Sequence, residues 1–268
     1  MTTVITVSSI RGGVGKSSLS LELAMYLSLK GKTLIIDADF YSPTLYNEMN
    51  ARTEKKIDRP TAYFRDFLRG LHPVQESIVK VLPTLDTIFS DPRVNLWELS
   101  KDVGTKNFWI EDNPQKASQV EIGMANLREF VRENLYEYIV FDTMGGYGYP
   151  VVYLSFISKY PIFLARPSLP QIRDAIGFIN LMGKKERPIQ LIWSNVPDVE
   201  NYMESTRIKL ESILSEKCPQ LYSTLGVIPR DAIFEQRALN GELKMIPGQD
   251  PKAPYYEELR KIIEKIMS

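Results

Sequence analysis

Ile10-Arg11-Gly12-Gly13-Val14-Gly15-Lys16-Ser17-Ser18 is the stretch from which the fold can be read. Upstream of it, Val4–Ser8 is a short apolar run rich in β-branched residues, the composition of a buried central strand. Downstream, residues 17–30 (SSLSLELAMYLSLK) repeat apolar side chains at helical spacing, and Gly31 ends them. Thr33–Asp37 (TLIID) is a second buried strand. Strand, glycine loop, helix and strand in that order make a βαβ opening. The loop residues share one chemistry. Glycines let backbone N–H groups converge on phosphate oxygens without Cβ clashes. A helix beginning near Ser17 points its positive end at the same anion. Lys16 is placed to reach β and γ phosphates, and the Ser17 hydroxyl to ligate Mg²⁺.

The alternation continues outward from this opening. Tyr138–Asp142 (YIVFD), Pro161–Ala165, Ile189–Ser194 and Tyr222–Ile228 read as further buried strands. Helices are expected at about 169–183 and 199–215, a short one over Ala232–Asn240 and a last one over Tyr255–Met267. Strands alternating with helices predict an α/β fold: a doubly wound, mainly parallel sheet with helices on both faces. Between residues 40 and 136 the pattern is weaker. It suggests a helix over Arg59–Gly70, strands at Ile78–Leu82 and Leu85–Phe89, an irregular loop over Asn107–Lys116 and a helix over Ala117–Asn134. No repeat, low-complexity run or linker interrupts the chain, so one domain over residues 1–268 is expected.

Composition removes several alternatives. The 268 residues carry 33 Lys plus Arg and 33 Asp plus Glu, unlike a strongly basic nucleic-acid binder. One cysteine (Cys218) and one histidine (His72) exclude an intrachain disulfide and argue against a Cys/His zinc site. The most apolar stretch, 149–165, is broken by Lys159 and Pro161, which does not suit a spanning helix. The N-terminus has no basic region or small-residue cleavage pattern. A cytoplasmic protein is the resulting expectation.

The loop departs from the usual G-x-x-x-x-G-K-[ST] pattern, because residue 10 is isoleucine and Arg11 stands directly before Gly12-Gly13. It resembles the deviant Walker A loop of the MinD/ParA ATPases, K-G-G-x-G-K-[ST]. In that family the leading lysine contacts phosphate across a nucleotide-sandwich dimer. Here arginine holds the position and is suited to a bidentate phosphate contact. The resemblance reaches Ile35-Ile36-Asp37-Ala38-Asp39, which looks like the family's D-x-D switch I segment. It implies that Asp39 positions the attacking water and that Asp37 lies near the metal. Asp142 matches the Walker B position, where an acid binds a water on Mg²⁺, and Gly145 or Gly146 after it could offer an N–H to the γ-phosphate. Residues 144–149 (MGGYGY) replace the family's prolines, and their three glycines suggest a mobile switch. Tyr147 and Tyr149 are expected in core packing more than in partner contacts.

Further along, Asn195 takes the place of the asparagine that hydrogen-bonds adenine in the family. Pro229-Arg230-Asp231 is similar to its adenine-flanking turn, although Asp231 equally suits a helix cap, as does Asp198. The last helix has Leu259, Ile262, Ile263 and Ile266 on one face and charges of both signs on the other, which favours docking onto the domain over membrane binding. Taken together, the resemblance implies a nucleotide-binding site for ATP/ADP made of residues 11–18, Gly145, Asn195, Pro229 and Asp231. Lys16, Asp39 and Arg11 would serve catalysis, and Ser17, Asp37 and Asp142 would serve Mg²⁺. It also implies an ATP-dependent homodimer that binds a protein partner and releases it on slow, partner-stimulated hydrolysis. A nucleotide-binding scaffold with little turnover and a ParA-type protein binding DNA nonspecifically are the competing readings. Iron–sulfur carriers share the loop but need paired cysteines, which one cysteine does not supply.

Overall fold

A computed structural model describes residues 2–54, 56–68, 70–91, 123, 125–133, 135–197, 199–247 and 252–267. Asn107–Lys116, the start of the helix expected from Ala117, and Asp198 lie outside them. Eight strands form one sheet in the order β3-β4-β2-β5-β1-β6-β7-β8. They are β1 (Thr3–Ser9), β2 (Thr33–Ala38), β3 (Ile78–Leu82), β4 (Leu85–Ile88), β5 (Tyr138–Gly145), β6 (Tyr160–Ala165), β7 (Ile189–Val196) and β8 (Tyr222–Pro229). Every neighbouring pair is parallel except the β3–β4 hairpin at the edge.

The period of two along each strand builds a core on both faces. Ile5, Val7, Ile35, Val140 and Ile192 point to one face. They are covered there by α1 (Lys16–Ser28) and the last helix, α10 (Pro254–Met267). Leu34, Ile36, Ile139 and Phe141 point to the other, under Phe64 and Phe67 of α3 (Phe64–Leu68), a helix α5 over 125–132, and α6 (Tyr149–Ile157). On that same face Phe163, Leu191 and Trp193 meet α7 (Leu169–Met182) and α8 (Val199–Lys217). The doubly wound α/β architecture expected from the strand–helix alternation is the one observed. The last helix docks as its apolar stripe suggested: Leu259, Ile262, Ile263 and Ile266 are all buried.

The differences fall in the divergent region and at one apolar run. The helix expected over Arg59–Gly70 is confined to Phe64–Leu68. Pro60 and the short polar stretch around it leave residues 56–63 irregular. Two short helices were not foreseen, α2 (Leu45–Arg52) and α4 (Val74–Ser77). The apolar run from 149 is also helical through Ile157, before Tyr160 opens β6. Its continuous hydrophobicity hides helical period, because it is packed among β1, β5 and β6 and has almost no polar face. Among the described residues no helix is long and apolar enough to cross a membrane.

Candidate nucleotide site

Parallel strands end at one edge of the sheet, and ligands of such folds bind beyond their carboxyl ends. Here β1 runs into the glycine loop and β2 into Asp37 and Asp39. At the same edge β5 ends with Asp142 and Gly145, β7 with Asn195 and β8 with Pro229. The loop is held open from below by Ser9 Oγ, which donates to the Arg11 carbonyl (2.7 Å). Gly13 (φ +69°) and Gly15 (φ +91°) take left-handed conformations that suit glycine. Gly15 is the N-cap of α1, no side chain caps that helix, and no acidic residue sits in its first turn. The orphan N–H groups and the positive end of α1 are therefore left for an external anion. A Cβ at Gly12 or Gly15 would meet nothing within 4 Å, so these glycines border open space of the kind a phosphate chain would fill.

Two clefts meet at this loop. One, about 540 Å³, is lined by Gly12, Lys16, Ser17, Asp39, Thr44 and Gly145 among others. The other, about 430 Å³, lies on the far side of Gly13, Val14, Gly15 and Ser18 and is walled by Leu19, Leu164, Asn195, Pro229, Asp231, Phe234 and Tyr255. The first carries the larger polar share and the second is the more apolar, with a few convergent polar groups, as phosphate and base subsites require. The rings of Phe234 and Tyr255 stack there, centroids 4.1 Å apart. Asn195 is held at φ 54°, uncommon outside glycine, which aims it from the end of β7. The two base-side loops are tied by the Arg230 N–H donating to the Val196 carbonyl (2.7 Å).

The acids are brought together by strand register. Asp37 on β2 lies directly beside Asp142 on β5. Both are almost fully buried. Burial, and then the charge of Asp142, push the Asp37 carboxyl well above its ordinary range. Burial likewise lifts Asp142 to about 7, opposed by a hydrogen bond from Ser17 and the charge of Lys16. Ser20 Oγ donates to Asp142 Oδ1 (3.2 Å) and Thr44 Oγ1 to Ser17 Oγ (3.3 Å). Asp37 Oδ1 accepts from the Asp39 N–H (3.0 Å), whereas its Oδ2 is buried without a partner. Two adjacent buried carboxyls with an orphan oxygen, beside a serine hydroxyl, form a donor set that a hard divalent cation fits. Among the described residues no cluster of three or more His, Cys, Asp or Glu side chains forms a metal cage. Mg²⁺ needs none, since one or two carboxylates plus substrate phosphates hold it.

Other expected residues are placed with more specific partners. Asp39 faces the phosphate-side cleft, and its Oδ1 accepts from the Tyr41 and Ser42 N–H groups (3.0 and 2.9 Å). Gly146 donates its N–H to the Ser9 carbonyl (2.9 Å), which leaves Gly145 as the glycine of that pair facing the cleft. Asp231 is a helix cap as well as a cleft residue. Its Oδ1 accepts from Ile233 and Phe234 N–H (both 3.0 Å) at the start of α9 (Ala232–Leu239). Arg11 does not turn into the cleft of its own chain. Its Nε donates to Asp174 Oδ2 on α7 (2.7 Å), an exposed pair, and this contact raises the guanidinium further. The Tyr147 hydroxyl donates to the Asp174 carbonyl (2.7 Å), and its ring lies over Phe178 while remaining 43% exposed. It packs on the surface of α7 and is not a core residue.

Comparison with known proteins gives the arrangement a relationship. The protein-family model described as ParA, "NUBPL iron-transfer P-loop NTPase", matches residues 1–90. The septum site-determining protein MinD of Buchnera aphidicola (subsp. Schizaphis graminum) is 22% identical over 277 residues, spanning 98% of this chain and 92% of that protein. The chain is similar to the MinD/ParA P-loop ATPases over nearly its whole length. Solved structures share its fold. A chain of the MinC:MinD cell division protein complex of Aquifex aeolicus superposes with a TM-score of 0.70 at 21% identity, covering 99% of this chain and 95% of that one. A plasmid partition protein of Borrelia burgdorferi bound to AMPPNP does so at 0.70 and 22%, covering 100% and 99%.

Against the MinD/ParA pattern, four contributors escaped the sequence reading. Ser20 and Thr44 brace Asp142 and Ser17, Asp174 receives Arg11, and Arg166 donates through Nη2 to the Gly13 carbonyl. Arg166 had a signal that was passed over, a basic residue immediately after a buried parallel strand. Asp174 had none, because it lies 163 residues from Arg11.

Proposed function

We propose that this MinD/ParA-like chain is an ATP-dependent switch that hydrolyses MgATP slowly, dimerises over the bound nucleotide and engages a protein partner in that state. The observation that carries the reading is the convergence of Lys16, Asp37, Asp39 and Asp142 on the uncapped N-terminus of α1, with the signature-position Arg11 held outside the cleft.

The chain's own groups divide the task. Main-chain N–H groups of residues 12–17 would bind the phosphates, and Lys16, almost fully buried, would neutralise the terminal ones. Asn195 and the Phe234–Tyr255 wall would orient the base. Ser17, Asp37 and Asp142 would hold Mg²⁺, which supplies charge neutralisation to the β and γ phosphates when bound. Asp39 would orient water through the carboxylate oxygen that its turn leaves uncommitted, since Oδ1 is occupied by two backbone N–H groups. Arg11 lies on the surface of its own chain, itself exposed and paired with the half-buried carboxylate of Asp174, a placement from which it can exchange to a phosphate presented by a second copy.

Support for a positioning or partitioning role comes from the relatives, which include MinD and a plasmid partition protein. The iron-transfer description of the matched family model finds no counterpart, because the chain's one cysteine is buried in α8's packing. Lys16→Ala is expected to abolish ATP binding, and Asp39→Ala to keep binding while losing phosphate release. Full turnover by the Asp39 variant would refute its assigned role. No phosphate release by the native protein, with or without partners, would leave the nucleotide-binding scaffold as the function.

A further inference from the structure

Arg166 emerges from β6 at the C-terminal edge of the sheet, one strand away from β1 and its loop. Its backbone is pinned on both sides. The Arg166 N–H donates to Gln171 Oε1 (2.7 Å), and its carbonyl accepts from the Ser168 N–H (2.8 Å). Pro167 further restrains it toward extended conformations. From this fixed base the guanidinium crosses to the glycine loop, where Nη2 donates to the Gly13 carbonyl. The same nitrogen stands 3.9 Å from where a Gly13 Cβ would be, so the side chain closes over that one peptide. Arg166 also lines the base-side cleft, and its Nε is buried with no hydrogen-bond partner.

We infer that Arg166 is a positioning residue for phosphate binding: its charge-assisted bond to the Gly13 carbonyl locks the Gly13–Val14 peptide with the Val14 N–H turned to the opposite side, toward the nucleotide. The inference rests on the nucleotide reading above and deepens it. In a planar trans peptide the C=O and the following N–H point in opposite directions. A carbonyl engaged by Arg166 therefore cannot turn its N–H partner toward Arg166 as well. The lock is needed because Gly13 sits at φ +69° with no Cβ to restrict it, and glycine passes between conformations at little cost. A flipped Gly13 peptide would present a carbonyl oxygen to phosphate oxygens, acceptor against acceptor. The guanidinium opposes that flip with a bond about twice as strong as a neutral one. It also places a positive charge beside the loop, at the wall of the base-side cleft.

The test is equilibrium binding of MgATP and MgADP to the full chain and to Arg166→Met, Arg166→Lys and Lys16→Ala, with the Val14 amide resonance followed in nucleotide-free protein. Arg166→Met is expected to weaken both nucleotides by about tenfold or more and to shift the Val14 resonance. Arg166→Lys, which still donates a charged hydrogen bond, should recover much of the affinity and return the resonance toward the native position. A purely structural arginine would not show that recovery together with an unchanged melting temperature. Should Arg166→Met itself melt early, the Lys variant decides through its affinity and its Val14 resonance, both expected between Met and native. The inference is overturned if Arg166→Met binds within about twofold of native while Lys16→Ala loses binding. It is overturned equally if the Val14 resonance does not move. If Lys16→Ala also binds normally, the nucleotide reading itself has failed and the inference falls with it.

Discussion

Replacing Arg52 with methionine tests how the segment behind Asp39 is anchored. Arg52 ends α2, which follows the Asp39 turn, and it is only 4% exposed. Its Nη1 donates to Glu22 Oε1 on α1 (2.5 Å) and its Nη2 to Glu48 Oε1 one turn earlier (2.6 Å). Glu22 is fully buried, receives a further bond from the Tyr256 hydroxyl (3.3 Å) and keeps Oε2 unpartnered. Burial lifts its carboxyl from about 4.5 to about 7, with Arg52 pulling it back down. At ~1.4 kcal/mol per pH unit, that displacement is worth roughly 3 kcal/mol. Because the folded value is raised, this stability is fully present below the unfolded value and is lost as pH rises through about 7. Removing Arg52 takes away the cation that, among the described residues, opposes the rise, and breaking a buried pair costs about 3–5 kcal/mol. The expected destabilisation of Arg52→Met is therefore largest at pH 8, where native Glu22 is ionised, and smaller at pH 5, where it is protonated in either protein. Glu22→Gln should cost little at pH 8, because it also removes the ionisation penalty, and should flatten the pH dependence. Urea denaturation from pH 5 to 8 measures all three proteins. A cost for Arg52→Met that is the same at pH 5 and pH 8 would refute the reasoning, as would a loss of about 3 kcal/mol or more for Glu22→Gln at pH 8.

Two further outcomes follow from the site. Burial raises Asp142 to about 7 and holds Asp37 well above its ordinary range, so protons compete with a cation there more than at free carboxyls. Mg²⁺-dependent ATP binding is expected to strengthen from pH 6 to pH 8 with proton release, and calorimetry in buffers of differing ionisation enthalpy checks the sign. Asp174→Ala is expected to leave the melting temperature unchanged, since its partner Arg11 is exposed. It should also raise ATP-dependent self-association, because Arg11 no longer has to leave a carboxylate. Sedimentation with MgATP measures this, and an association constant equal to native would remove the cis pair from the switch.

The opening βαβ unit was legible because its signals are local. Glycine spacing, a buried strand and a helical period all lie within residues 4–37, where short-range backbone rules decide the outcome. The region from 40 to 91 was harder for the opposite reason. α2 has a weak apolar stripe and is secured by Arg52 reaching a buried glutamate 30 residues away. The 149–157 helix was missed because packing on β1, β5 and β6 leaves it little polar face to mark a period.

By itself, then, the sequence determined the fold class, the phosphate loop and the acids that end β2 and β5, since each depends on residues near one another in the chain. Tertiary structure alone decided how those pieces meet. The β2–β5 register sets Asp37 beside Asp142, and mutual burial then changes the chemistry of both. It also gave Arg11 to Asp174 and the Gly13 carbonyl to Arg166, contacts spanning 163 and 153 residues. No local pattern encodes such pairings, because side chains that distant meet only after parallel strands and their crossover helices have been stacked into one sheet.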